Sequence, residues 1–162
     1  MAKALRTEES LRMNDFMTNA QRSRAMSKVR GQNTKPEIKI RSGLHRQGFR
    51  FRVNNSKLPG KPDITLKKYS VAIFIHGCFW HCHINCPKSK MPQTRAEFWK
   101  NKISNNVIRD KKNIKALSEI GWRIAVVWEC GIKKEKNLIE TLDTLNRWIK
   151  EGKSYIELPQ SP

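Results

Sequence analysis

Apolar positions are sparse and aperiodic over the first 33 residues and then settle into patterns that predict secondary structure. Ile38, Ile40 and Leu44 share one side of a helix predicted from Thr34. There Thr34-x-x-Glu37 has the form of a capping box, Pro36 is tolerated in a first turn, and Gly48 is a natural stop. Phe49 to Val53 alternates apolar and basic residues, the period of a half-buried strand. Asn54 to Pro62 is turn chemistry. Asp63 to Leu66, a Lys67–Ser70 turn and Val71 to Ile75 read as a hairpin, with the second strand buried on both faces. A second box, Thr94-x-x-Glu97, opens a helical stretch to Ile120, and Gly121 ends it. Trp122 to Trp128 is another buried strand, and Leu138, Leu142, Leu145 and Ile149 mark a last amphipathic helix. This order predicts one mixed α/β domain over residues 34–152, between a basic arm (1–33) and a C-terminal tail (153–162).

Charge narrows the partners. Of 162 residues, 33 are Lys or Arg and 14 are Asp or Glu, a formal net charge of +19 that attracts polyanions. A hydrophobic content of 38% with five tryptophans argues against disorder. The longest apolar runs, Val71 to Ile75 and Ile124 to Trp128, fall far short of the roughly 18 residues that span a bilayer. The opening segment has no signal-peptide stretch, so a cytoplasmic, DNA-associated protein is expected. Arg22, Arg24, Lys28 and Arg30 crowd the second half of the arm. Both a solvated, frayed terminus and an arm that orders on a phosphate backbone fit it.

Chemistry concentrates between His76 and Cys86, where three histidines (76, 81, 83) and three cysteines (78, 82, 86) fall within eleven residues. Thiolate and imidazole are the ligands of structural zinc, and Cys130 offers a further donor, so one donor is surplus to a tetrahedron. Nothing marks export, which favours a metal site over disulfides. The Pro-Gly-Lys-Pro-Asp string ends in Asp63 at the start of a strand. That aspartate is either an ordinary turn residue or a ligand for Mg²⁺, and the hairpin brings it towards His76.

The run Ile73-Phe-Ile-His-Gly-Cys-Phe-Trp-His81 is followed by Thr94-Arg-Ala-Glu-Phe-Trp99, Asn106-Val-Ile-Arg-Asp110 and Gly121-Trp-Arg-Ile-Ala-Val-Val-Trp-Glu-Cys130. Together these motifs resemble the very-short-patch-repair DNA mismatch endonuclease family, and Leu58-Pro-Gly-Lys-Pro-Asp63 matches that family's metal-binding motif. The resemblance runs from about Gln21 to about Lys150. It implies a restriction-endonuclease-like mixed sheet flanked by helices. It also implies a Mg²⁺-dependent enzyme that nicks 5′ to the T of T:G mispairs left by 5-methylcytosine deamination, which starts short-patch mismatch repair.

By the same resemblance Asp63 binds Mg²⁺, the Ile75 backbone carbonyl is a second ligand, and His76 and His81 are catalytic. Glu37 supports the site, although its capping box would account for it equally. Zinc maps onto Cys78, His83, Cys86 and Cys130, with Cys82 as the alternative to His83. Phe79, Trp80 and Trp99 match residues that wedge into the DNA stack, core packing being the alternative, and Arg22 and Arg24 match a DNA-clasping segment. The implied partners are double-stranded DNA with a T:G mispair, a companion cytosine-5 methyltransferase and further repair proteins. A monomer is expected, because the last helix covers only about two heptads. The competing readings are the same core acting on another DNA substrate and a non-catalytic, zinc-stabilised DNA-binding module. Residues 1 to about 20 extend beyond the match and are assigned nothing.

Overall fold

The computed structural model describes residues 18–160, in two units that are taken separately. The first contains α1 (Asn19–Ser27), which buries none of its residues. Its start is a reciprocal cap: Gln21 N–H donates to Thr18 Oγ1 at 3.2 Å and Thr18 N–H donates to Gln21 Oε1 at 2.7 Å. A helix polar all round has no apolar period, so Thr18-x-x-Gln21 was its only sequence signal. Of the arm expected over 1–33, residues 1–17 lie outside the described residues.

The second unit runs α2 (Lys35–Arg46), β1 (Arg52–Val53), β2 (Ile64–Leu66), β3 (Val71–His76), α3 (Ala96–Glu119), β4 (Arg123–Trp128), α4 (Glu135–Glu151) and β5 (Tyr155–Leu158). The sheet order is β1-β2-β3-β4-β5. β1, β2 and β3 pair antiparallel, while β3–β4 and β4–β5 pair parallel, with Ile73 beside Ala125 and His76 beside Trp128. Alternation along β3 and β4 separates two cores. Val71, Ile73, Ala125 and Val127 pack with Ile40 and Leu44 of α2 and with Leu142, Leu145 and Ile149 of α4. Ala72, Phe74, Ile124, Val126 and Trp128 pack on the opposite face with Leu117 of α3 and Cys78. α2 and α4 press together at Gly43, where an added Cβ would lie 2.3 Å from the Leu142 side chain. His76 follows Ala72 and Phe74 in the alternation and so belongs to the α3 face.

Several expectations change. Within the tail expected over 153–162, Tyr155–Leu158 form the parallel edge strand β5, and residues 161–162 lie outside the described residues. Arg123 explains the return: its guanidinium donates to the carbonyls of Lys153 (2.8 Å), Ile149 (2.9 Å) and Trp148 (2.6 Å), fixing the end of α4 and the turn after it. Four residues that alternate with an acid carry too weak a period to announce such a strand. The strand expected over 49–53 shrinks to Arg52–Val53, since Phe49 is buried in the core instead. α3 is unbroken, and Thr94 does not cap it: Arg95, at φ 55°, takes the N-cap position without a side-chain cap bond. Thr34 does sit at the N-cap of α2, but the reciprocal box is replaced. Its hydroxyl donates to Glu37 Oε1 at 2.8 Å, and the backbone N–H of Asn33 donates to Glu37 Oε2 at 2.9 Å.

Candidate active site and metal centre

The antiparallel register of β2 on β3 carries the residue before β2 to the far end of β3. There Ile75 N–H donates to Asp63 Oδ2 at 2.7 Å. His76, the last residue of β3, is buried at 7% exposure. The loop after it folds back, with His81 N–H donating to the Gly77 carbonyl at 3.1 Å. This lays the His81 ring parallel on His76, with centroids 3.9 Å apart and planes 5° apart. His81 Nδ1 lies 2.5 Å from Asp110 Oδ2 of α3. Behind Asp63, Glu37 is ion-paired with Arg41 at 2.9 Å, and Arg41 also donates to the Asp63 carbonyl at 3.4 Å. Glu37 therefore accepts the Asn33 N–H at the start of α2 and, through Arg41, reaches the Asp63 backbone.

These surroundings set the charges. Burial pushes the Asp63 carboxyl up to about 6; the Ile75 N–H opposes this, the charge of Glu37 adds to it, and Arg41 and His81 oppose it. Burial, helped by the charge of His81, holds His76 down at about 3, against the pull of Asp110. At neutral pH His76 is thus an uncharged imidazole. Asp63 is a carboxylate whose ionisation would be eased by a cation.

A second cluster lies at the end of β4. Cys78, His83, Cys86 and Cys130 bring one ligand atom each to within 4.8 Å of one another. His83 Nδ1 is 3.6 Å from Cys78 Sγ and 3.4 Å from Cys130 Sγ. Tetrahedral zinc, with bonds of about 2.0–2.3 Å, sets ligand edges of about 3.5–3.8 Å, so the donors fit such an ion. Cys82, at φ 54°, stands outside the group. No disulfide forms among the four cysteines. Burial raises the thiol of Cys78 to about 12 and also raises that of Cys130. At Cys86 burial acts in the same direction, but the Lys88 N–H and the neighbouring thiols prevail and lower it. Thiols crowded this closely ionise together only around a cation.

Phe79, Trp80 and Trp99 form a half-buried aromatic cluster, with centroids 5.2 Å (Phe79–Trp80), 5.3 Å (Phe79–Trp99) and 5.9 Å (Trp80–Trp99) apart. Phe98, 48% exposed, extends it. None of these residues is part of either core; the rings pack on one another instead. α3 gathers the site along one face, through Trp99, Asn106, Asp110 and Asn113, at helical spacings. Asn106 Nδ2 donates to the Trp80 carbonyl at 2.9 Å, Asp110 holds His81, and Asn113 packs on Gly60, where an added Cβ would lie 2.8 Å away. Arg22 and Arg24 lie on α1, in the other unit.

Comparison with known proteins meets this geometry. Residues 14–88 match the family described as DNA mismatch endonuclease Vsr. The chain is 45% identical over 140 residues to the type II nicking enzyme V.NmeAIP of Neisseria meningitidis, covering 86% of this chain and 99% of that protein. It is 44% identical over 139 residues to the DNA mismatch endonuclease Vsr of Escherichia coli, covering 85% and 88%. The chain belongs to the Vsr family. A third Vsr-like relative, the type II nicking enzyme V.XorIIP of Xanthomonas oryzae, is 43% identical over 120 residues, or 74% of this chain and 88% of that protein.

In this Vsr-family chain the sequence reading missed Asp110 as a partner of His81. Its signal was available: Asn106 and Asp110 are one helical turn apart in a motif already singled out, and that turn faces the Cys/His loop. Trp128 was read only as the end of a buried strand, yet its ring stacks on His83 and meets His76 edge-on.

Proposed function

We propose that this chain nicks duplex DNA on the 5′ side of the T in a T:G mispair, beginning very-short-patch repair, by Mg²⁺-dependent hydrolysis. The observation that carries the reading is the His81–Asp110 pair at one residue's remove from the Trp80 cluster, with Asp63 across the sheet end. Mg²⁺ held by Asp63 and the Ile75 carbonyl would stabilise charge on the phosphate oxygens. A single carboxylate, depressed in acidity by burial, suits an ion that keeps most of its waters.

The side chains do the rest. Asp110 on Nδ1 keeps the proton of His81 on that nitrogen and leaves Nε2 basic, so Nε2 takes the proton of the attacking water. Asp110 then steadies the imidazolium that results. His76, neutral and stacked on His81, holds the ring plane. Phe79, Trp80 and Trp99 wedge beside the mispair, where poor pairing lowers the cost of unstacking. Cys78, His83, Cys86 and Cys130 would hold Zn²⁺, which would tie this loop to the end of β4. We read the domain, residues 34–160, as a restriction-endonuclease-like core. Arg22 and Arg24 of α1 are assigned to phosphate contacts, and the protein acts as a monomer alongside a companion cytosine methyltransferase.

The test is a nicking assay on end-labelled T:G, T:A, C:G and G:G versions of one duplex, in several flanking contexts, with Mg²⁺ and with Asp63→Asn as control. A nick 5′ to T in T:G alone, lost in the control, is the expected result. Cutting of paired DNA would move the substrate class, and binding without any nick would favour the non-catalytic module.

A further inference from the structure

Trp128 occupies an unusual place. It is 6% exposed, at the end of β4, and its ring lies between the metal cluster and the catalytic histidines. On one side His83 stacks on it, with centroids 4.2 Å apart and planes 7° apart. On another, His76 meets it edge to face at 5.2 Å and 72°. His76 in turn carries His81. The indole N–H donates to Glu157 Oε1 at 2.6 Å, a short bond to a carboxylate. The other oxygen of Glu157 accepts Tyr155 O–H at 3.1 Å. A core filler at this position needs neither an N–H nor an acid on the edge strand to receive it.

We infer that Trp128, clamped by Glu157 of β5, is a positioning residue that fixes the ring plane of His76 and, through it, of His81. Neither Trp128 nor Glu157 touches the reacting atoms. The indole is located from three directions, by the His83 ring, by the Glu157 carboxylate and by its own strand. The His76 ring is buried against it, so a shift of the indole is passed on to the stacked pair. The inference rests on the nicking activity proposed above, and it gives β5 a part in catalysis from a distance.

The test uses the full-length protein with Glu157→Leu and Glu157→Gln, at a temperature where circular dichroism shows each folded. Glu157→Leu leaves the indole N–H without its acceptor. Its single-turnover nicking rate on the T:G duplex is expected to fall about tenfold or more, towards the roughly hundredfold that an ångström of misplacement costs. Its affinity for that duplex stays within about twofold, because the aromatic cluster and basic groups that bind DNA are untouched. Glu157→Gln, whose amide oxygen still accepts the N–H, recovers the rate to within about threefold. In NMR spectra the Trp128 indole N–H resonance and the ring resonances of His76 and His81 move in Glu157→Leu and stay near wild type in Glu157→Gln. If Glu157→Leu lowers only the melting temperature, with rate and ring resonances unchanged, the inference is overturned. If the wild-type protein itself does not nick, the activity reading fails, and the resonances alone decide whether the indole positions His76. Should Glu157→Leu not fold, Trp128→Phe, which keeps a ring and lacks the N–H, is measured in the same way with the same expected split.

Discussion

Replacing Asp63 by Asn is expected to strengthen the fold of the metal-free protein while abolishing nicking. Burial holds the Asp63 carboxyl near 6 instead of 3.8, so the folded state resists its ionisation. At about 1.36 kcal/mol per pKa unit that resistance comes to about 3 kcal/mol. The carboxyl keeps some solvent contact, which reduces the figure to about 1–3 kcal/mol. The sign follows from proton counting: a carboxyl raised on folding costs nothing below about 3.8, and its full penalty is reached as pH rises through about 6. Asn removes the charge, and its amide oxygen can still accept the Ile75 N–H. In EDTA at pH 7.5 the melting temperature should rise by several degrees, at about 2–4 °C per kcal/mol. At pH 5 the gain should shrink to about half. Added Mg²⁺ should raise the melting temperature of the wild type and not that of the variant. A variant no more stable than wild type in EDTA at pH 7.5 would refute the claim that Asp63 is held in a desolvated, cation-seeking environment.

Asp110→Asn should lower the single-turnover nicking rate by about 10²–10⁴, with duplex affinity retained, as loss of the group that orients a general base does. Cys130→Ala or Cys86→Ser should lose bound zinc by elemental analysis and melt at lower temperature; a variant that keeps both metal and stability would remove that residue from the ligand set. Trp80→Ala should weaken binding to the T:G duplex by about 1–3 kcal/mol with the circular dichroism spectrum preserved, whereas unfolding would return Trp80 to a packing role. Arg22→Ala with Arg24→Ala should reduce the slope of log affinity against log salt by about 2, and an unchanged slope would leave α1 without phosphate contacts.

The buried strands and α4 were legible because continuous apolar runs and a three-four spacing survive any tertiary context. The Cys/His loop was legible through the chemistry of its donors, although spacing alone left Cys82 and His83 as rivals. What the chain did not display is what depends on tertiary contact. β5 exists because Arg123 gathers three carbonyls at the end of α4, and no local pattern in Tyr155–Leu158 announces that. Thr94 has the form of a cap, yet Arg95 in a left-handed conformation starts α3 in its place. Asp110 looks like one more charge on a basic helix until the loop folds back and sets His81 against it.

The long helix α3 has a consequence for how such a protein can change. Trp99, Asn106, Asp110 and Asn113 share one face only because the number of residues between them is fixed. One inserted residue would turn everything beyond it by about 100° and advance it by about 1.5 Å, separating the histidine partner from the aromatic cluster in a single step. A segment such as 90–94, beyond the metal donors and without regular structure, carries no such constraint. The helix acts as a ruler laid between the aromatic cluster and the His81–Asp110 pair. Altered sequence preference on this scaffold would come from exchanging side chains along the ruler, and changes of length would collect in the loop that leads up to it.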